Sequence, residues 1–418
     1  MFVTLTPQSI WWWTFEGTRP VLWIVATTMV GVIAALLQHK LDFTTLRNRR
    51  TVYILVLWLF YTLSYYFGAY IDVDGDYRFT EPEWAFTTVN KIMVLYLLAC
   101  LCIDSQKKVK ALMFVLVGSV VYMTYWANYQ YLSGQSYGRL SGPSSLGGGG
   151  LYVDENNFAM LFVVALPFVW YAGLMFQNRF VRWGLWAVIP FGWHAVFLTG
   201  SRGGLVGIAV TLLLIVFRSR NKLFASLIIP AFIAAFLWQA GDLMRGRAST
   251  ISEYKTEGSA AGRLNAWAAA SNMMARHPVV GVGIASFGPA FPDHSDKDPR
   301  EAHNTFFQIA AESGVVAGLM YLMTIISVYF GLSANGRKLR RFLAPNRDPT
   351  LFLINEAVLV GFVGLVTCSA FLSLQLFEIF YCLCVMANAL LYITAKTGDD
   401  DAEEAAAETP GAALPSRR

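Results

Sequence analysis

The chain is short of charge. Only 14% of its 418 residues are Asp, Glu, Lys or Arg, while 56% are hydrophobic. A soluble domain carries about 25% charged residues, so this chain lacks the polar surface for a water-soluble fold. Cysteine and histidine are scarce too, with five of each. Cys100, Cys102, Cys368, Cys382 and Cys384 all lie within or at the ends of apolar runs. That excludes a disulfide framework and paired C-x-x-C zinc spacing, and leaves them as small apolar packing residues. Short alternating segments are missing, which excludes a transmembrane β-barrel. The first residues, "MFVTLTPQSIWWWTFEGTRP", lack the basic region and small-residue cleavage site of a signal peptide. No internal repeat is evident, which counts against a transporter of two related halves. No histidine cluster suits a metal. In "DVDGDYRFTEPE" (Asp72, Asp74, Asp76, Glu81) the glycine comes two residues too early for a calcium loop.

What the chain has is long apolar runs of roughly 17 to 21 residues, each enough to cross a hydrocarbon core. The expected class is an all-α polytopic membrane protein. Eleven spans are expected, over about 21–37, 52–70, 87–103, 111–131, 156–176, 183–199, 203–217, 223–241, 314–334, 351–371 and 374–394. The last two read as a tight hairpin. The expected parts are a bundle over 1–241, a long loop with short helices over 242–313, closing spans over 314–394, and a disordered tail over 395–418.

Alternate connections differ in charge. "HKLDFTTLRNRR", "DSQKKVK", "QNRFVR", "RSRNK" and "NGRKLRRFLAPNRDPT" together hold seventeen Lys and Arg. The positive-inside rule makes these cytoplasmic, which puts the N-terminus and the long loop outside and the tail inside.

Charged groups near an apolar region are costly, so each is a functional candidate. Lys91 is placed about one turn inside the outer end of the third span, where snorkelling is the plain alternative. Arg139 lies in the Gly/Ser-rich segment before "DENN", in which Asp154 and Asn156 are candidate helix caps and Asn157 is a cap, helix contact or ligand contact. Arg202 sits in the short turn "TGSRGG", at the start of a helix. A helix N-terminus with an arginine suits an anion. In the long loop a helix is expected from Gly262 to a stop at Pro278, with Arg263 in its first turn and Leu264, Trp267, Ala268, Ser271 and Met274 as its apolar stripe. A second helix is expected to start at "DPREAHNTFF", with Asp298 as N-cap, Pro299 at the first position and His303 one turn in. Arg300, His303 and Phe307 would then touch along one face. His194 and Glu356 read as buried polar groups satisfied by packing partners.

Lys91, Arg139, Arg202, Arg263, Arg300 and His303 thus fall at one face of the membrane. Several arginines with one histidine suit a polyanion plus proton transfer. Arginine grips phosphate in bidentate fashion, and histidine accepts a proton near neutral pH.

The stretches "RLSG…DENNFAM", "LTGSRGGLVGIAV", "GRLNAW…HPVVGVGIASF" and "EAHNTFFQIAAESGVVAGL", over roughly 137–335, resemble the O-antigen ligase and polymerase superfamily, which includes related O-oligosaccharyltransferases. The N-terminal stretch is similar to O-glycosylation ligases associated with exosortase systems. The resemblance implies a GT-C-like fold in the bacterial inner membrane. It implies en bloc, metal-independent transfer of a glycan from undecaprenyl diphosphate on the periplasmic side, without a cofactor. The acceptor would be the lipid A-core of lipopolysaccharide, a growing polymer or a protein hydroxyl; no nucleic-acid partner is expected. Arg202, Arg263 and His303 match the family's functional residues, and Lys91 matches an early basic residue. His303 is then the expected general base of an inverting transfer, with Arg202 and Arg263 on the diphosphate. Lys91, Arg139, Asn157, Arg300 and Asn304 are expected to assist in binding. Such ligases have twelve spans with both termini inside, against eleven expected here. A lipid-linked glycan flippase and a structural scaffold are the non-enzyme alternatives.

Overall fold

The computed structural model describes residues 20–71, 81–135, 138–143, 152–219, 221–249, 258–342 and 348–408. Every regular element among them is helical. The eleven apolar runs form α1 (Pro20–Leu37), α2 (Arg49–Phe67), α3 (Pro82–Cys102), α4 (Gln106–Leu132), α5 (Glu155–Met175), α6 (Arg179–Thr199), α7 (Arg202–Arg218), the pair α8 (Lys222–Ser226) and α9 (Ile228–Gln239), and, after the long loop, α14 (Val315–Phe342), α15 (Thr350–Ser369) and α16 (Glu378–Glu408). The loop contributes α10 (Asp242–Ser249), α11 (Gly258–Arg276), α12 (Phe287–Ala290) and α13 (Thr305–Ser313). Among the described residues, seven helical stretches are long and apolar enough to cross a membrane: α3, α4, α5, α8 with α9, α14, α15 and α16. Trp23–Leu37 is a shorter apolar helix. The tyrosines, tryptophans and arginines of α2 and α6 lower their hydropathy, and α7 has only 17 residues.

α5 and α15 form the centre. Both are apolar on all sides and buried nearly all round, as expected of helices enclosed by others. Small residues let them meet closely. A side chain at Gly361 would strike the Val164 carbonyl at 2.7 Å, and one at Gly207 on α7 would strike Cys368 and Val163 at 2.8 Å. Without a hydrophobic force between helices in lipid, such backbone approach supplies the packing attraction. Arg218 and Glu356 form a charged pair in this core, a bidentate contact that includes Arg218 Nη2 to Glu356 Oε1 at 2.8 Å. His194 Nδ1 meets Asn128 Oδ1 at 2.7 Å. Both buried polar groups therefore have packing partners. The five cysteines are free thiols, four of them buried.

The long loop has a core of its own, made of Ala266, Ala269, Ala270, Met273, Val282, Phe287, Phe291 and Ala302 with a few neighbours. α11 starts at least as early as Gly258, so Arg263 stands in its second turn. Its buried face is Ala266, Ala269, Ala270 and Met273, not the expected stripe: Leu264 is 52% exposed, and Ala268 and Ser271 are exposed too. In this alanine-rich helix the small side chains face inward because they allow the closest approach.

Three further expectations give way. The second loop helix does not begin at Asp298–Pro299. It begins at Thr305, and Asn304 caps it by accepting from Phe307 N at 3.2 Å. α15 and α16 are not a tight hairpin, because residues 370–377 form an irregular segment between them. The last helix continues through Glu408, so residues 395–408 are helical rather than disordered; their run of Ala and Glu favours a helix. The acidic 72–80 segment and residues 409–418 lie outside the described residues.

Phe291 is fully buried in the loop core. Phe291→Ala should remove about 3–5 kcal/mol from this unit. Limited proteolysis should show faster cleavage within 258–313, with the membrane helices still protected.

Candidate functional site

The start of α5, the end of α6, the start of α7, the loop helices α11 and α13, and the 370–377 segment meet at one end of the bundle. The basic connections lie at the other. α13 docks through its first residue: Thr305 Oγ1 donates to the Leu372 carbonyl at 2.7 Å and accepts from Leu374 N at 3.0 Å. Asn304 Nδ2 donates to the Ala370 carbonyl at 3.3 Å. Phe371, on the same segment, lies 5.9 Å beneath the Arg263 guanidinium. A side chain at Gly203 would reach Phe371 Cβ at 3.6 Å. Phe371 therefore brings the start of α7, which carries Arg202, beside Arg263. Arg202 occupies the first position of α7, whose N-cap Ser201 accepts from Gly204 N at 3.1 Å.

His303 precedes α13 in a left-handed backbone conformation, φ +45°. It is exposed to solvent at the mouth of this recess, while the walls around it thin its hydration. Its pKa lies below the usual 6.5. Loss of hydration is the main cause, followed by the positive Arg263; Asp154 opposes these, and Arg300 adds to them. The imidazole is thus held neutral and competent to take a proton. Arg300 lies flat over Gly262, where a Cβ would come within 1.6 Å of its Nη1, and its Nε is buried with no hydrogen-bond partner among the described residues. The expected Arg300–His303–Phe307 helical face does not exist, since the first two residues precede the helix. Phe307 instead stacks on Trp267, centroids 5.6 Å apart.

The other expected residues stand differently. Arg139 is engaged in structure: its Nε donates to the Thr199 carbonyl at 2.8 Å, Nη2 to Asn156 Oδ1 at 3.1 Å, and Nη1 pairs with Glu155 at 3.4 Å. Asn156 Oδ1 also accepts from Ser201 Oγ at 2.9 Å. Asp154 is the cap of α5, accepting from the backbone N–H of Asn156 and Asn157, and Asn157 stays half-buried beside it. Lys91 is exposed and lies nine residues into α3, about 13 Å along its axis. It is therefore more than two turns from the outer end, because the helix starts at Pro82, ahead of the apolar run. No hydrogen bond or ion pair links it to the recess among the described residues.

Three residues in or beneath the recess escaped notice in the sequence, and Asp154, noted there only as a helix cap, stands beside it. Glu301 carries a carboxyl whose pKa is raised by burial and by the negative Asp154, against a hydrogen bond with Ser373. Asp154 is the acidic neighbour of both Glu301 and His303. Gln308 and Glu312 lie buried in α13. Glu301, two residues before His303, had a signal in that proximity. Away from the recess, His277 and His294 cluster with Tyr70, with centroids about 6 Å apart.

Residues 185–322, about a third of the chain, match the family model described as O-antigen ligase. The match supports the O-antigen ligase superfamily, and it spans Arg202, Arg263, Arg300 and His303. No curated protein matches the chain significantly.

Arg263→Met removes a cation from beside His303, which makes the imidazolium less costly. The pKa of His303 should rise toward 6.5. The pH midpoint of His303 carbethoxylation, read by peptide mass spectrometry, should move up accordingly; an unmoved midpoint would mean the arginine does not act on this ring.

Proposed function

From a multi-pass membrane protein with an O-antigen ligase match over residues 185–322, we infer a glycosyltransferase that moves an oligosaccharide en bloc from undecaprenyl diphosphate to an acceptor hydroxyl, with the lipid A-core of lipopolysaccharide as acceptor. The observation that carries this reading is the solvent-reached His303 beside Arg263 and Arg300, in a recess that the start of α7 also lines. Arg202 and Arg263 bind the diphosphate and stabilise the negative charge that grows on it as the sugar–phosphate bond breaks. His303 takes the proton of the acceptor hydroxyl while its oxygen attacks the anomeric carbon from the opposite side, so the configuration inverts. The proton ends on the imidazole, and the electron pair of the broken bond leaves with the lipid diphosphate. Asp154 steadies the imidazolium formed. The basic connections at the far end support a cytoplasmic placement for that face and a periplasmic, inner-membrane placement for the recess.

The polyprenyl tail has a place to lie. A groove of about 410 Å³ runs between α4 and α6, lined by Val121, Tyr125, Leu132, Gly184, Val188 and Phe191 among others, and is almost wholly apolar. It faces outward from the bundle, and α6 carries on from Phe191 to Thr199, the residue that Arg139 holds.

His303→Ala should lower the transfer rate by about 10²–10⁴-fold. Near-wild-type transfer by the purified variant would defeat the base assignment. Loss of O-chain from lipid A-core in a deletion strain, with lipid-linked chains accumulating, supports the ligase; chains cut to a single repeat would indicate a polymerase, and intact lipopolysaccharide with unglycosylated protein a protein-directed enzyme. A Cβ at Gly184 meets nothing within 4 Å. Gly184→Trp should therefore fold normally, fill the groove and raise KM for the lipid-linked donor several-fold with kcat little changed.

A further inference from the structure

His303 adopts a conformation that a non-glycine residue keeps only where its surroundings impose it. Its neighbour Ala302 is fully buried, and both backbone polar groups of Ala302 are engaged by side chains. The carbonyl accepts from Trp267 Nε1 at 2.9 Å, and the N–H donates to Gln308 Oε1 at 2.9 Å. Gln308 Oε1 also accepts from Ser373 Oγ at 3.2 Å. Two donors on that oxygen fix the orientation of the amide, so its Nε2 must face the other way. There it donates to Glu312 Oε1. The Glu312 carboxylate is 1% exposed and is surrounded by further donors: Ala285 N at 3.0 Å, Phe287 N at 3.4 Å and Gln375 Nε2 at 2.9 Å. All four of these partners donate to the carboxylate, so the arrangement has one direction throughout.

Glu312 is also where three other pieces of chain converge. Its backbone carbonyl accepts from Gly283 N at 3.0 Å and from Ser64 Oγ, at the end of α2, at 2.6 Å. The loop at 281–287, the end of α2 and the 370–377 segment are thereby referred to one residue, and Gln308 passes that reference to the turn at His303.

We propose that Gln308 and Glu312 are positioning residues: a buried Glu312–Gln308–Ala302 hydrogen-bond chain holds the left-handed turn that aims His303 into the recess beside Arg263, Arg300 and Asp154. Neither side chain needs to touch substrate. The proposal deepens the reading of His303 given above and rests on it for any effect on transfer, but the position of the ring is measured without turnover.

The test compares Gln308→Glu, Glu312→Gln and the double exchange in the full chain, in detergent or nanodiscs. Gln308→Glu sets two carboxylates against each other. Glu312→Gln replaces one acceptor oxygen by an amide N–H group that faces other donors. The exchange restores one donor–acceptor pair with the direction reversed, while residue 308 still accepts from Ala302 N. Two readouts are taken: the pH midpoint of His303 carbethoxylation, and kcat with KM. In each single variant the midpoint should rise toward 6.5, as the ring leaves its partly dehydrated place near the arginines. The kcat should fall at least tenfold with KM within twofold. The double exchange should return both toward wild type. Folded single variants that keep the wild-type midpoint and kcat would overturn the proposal. If the single variants fail to fold, Ser373→Ala, which removes the second donor on Gln308 Oε1 together with the hydrogen bond to Glu301, should shift the midpoint the same way by a smaller amount, and no shift there would overturn it. A shifted midpoint in the relay variants, together with a His303→Ala protein that still transfers glycan, would support the positioning and defeat the base assignment alone.

Discussion

The docking of Thr305 onto the 370–377 segment is the contact on which the rest of the recess depends. One hydroxyl donates to Leu372 O and accepts from Leu374 N, so it joins the end of a long extramembrane loop to the connection between two membrane helices. From that point α13 is fixed in direction. Asn304 falls on Ala370, Gln308 reaches Ser373, and Glu312 reaches Gln375. The 370–377 segment is itself placed by α15, the helix packed most completely among its neighbours. The rigidity of the central α5–α15–α7 contact, where glycines let backbones touch, is thus carried outward to a histidine in a surface recess. Sites supported by packed elements hold their geometry more closely than sites on free loops.

Electrostatics explain why the recess can be both cationic and open. Arginines gathered in one place repel, and each must be held or neutralised. Arg263 rests on the face of Phe371, a weak cation–π contact at 5.9 Å that leaves its N–H groups directed elsewhere. Arg300 lies over a glycine with one nitrogen buried. Arg139 is drawn out of the set altogether, paired with Glu155 and with Thr199 O. The acidic side chains Asp154 and Glu301 stand close enough to perturb the histidine or each other, so the recess is a mixed field rather than a plain basic patch. Such a field suits the polyanion of the proposed donor and favours the neutral form of the histidine.

The membrane class, all eleven helical runs and the one-sided gathering of Arg202, Arg263, Arg300 and His303 were legible in the sequence, because apolar length and charge placement survive without tertiary information. The local frame of His303 was not. "DPREAHN" offers two good caps six residues apart, Asp298 and Asn304, and propensity cannot rank them; the docking of Thr305 and the buried N–H of Ala302 decide for the later one. The face of α11 was misread for a related reason. Leu264 looks like a core residue, yet Ala266, Ala269, Ala270 and Met273 take the interior and Leu264 stays exposed. Lys91 lies farther from the start of its helix than expected because hydropathy marks the apolar run rather than the helix, which starts five residues earlier than the expected span. Gln308 and Glu312 drew no notice, since a polar residue in an amphipathic helix normally faces water. Here the 370–377 segment covers that face, and no periodicity reveals what will cover a helix.

A buried carboxylate is a costly way to hold a turn. Glu312 has its pKa lifted to about 7 by burial, against the pull of the Ala285 N–H and the Gln308 amide. An apolar residue there would avoid the cost of dehydrating a charge, and replacing buried ionic groups by apolar ones is often neutral or stabilising. An apolar side chain, however, cannot orient an amide. With leucine at 312, the buried Gln308 Nε2 would lose its acceptor, and the hold that Gln308 keeps on Ala302 would be weakened. The carboxylate therefore contributes direction more than stability: four donors converge on it, from α13, the loop at 281–287 and the 370–377 segment, and Gln308 passes the constraint onward to Ala302, the residue before the histidine. Geometry at the recess is in this sense set from beneath, by a residue that solvent and substrate never reach.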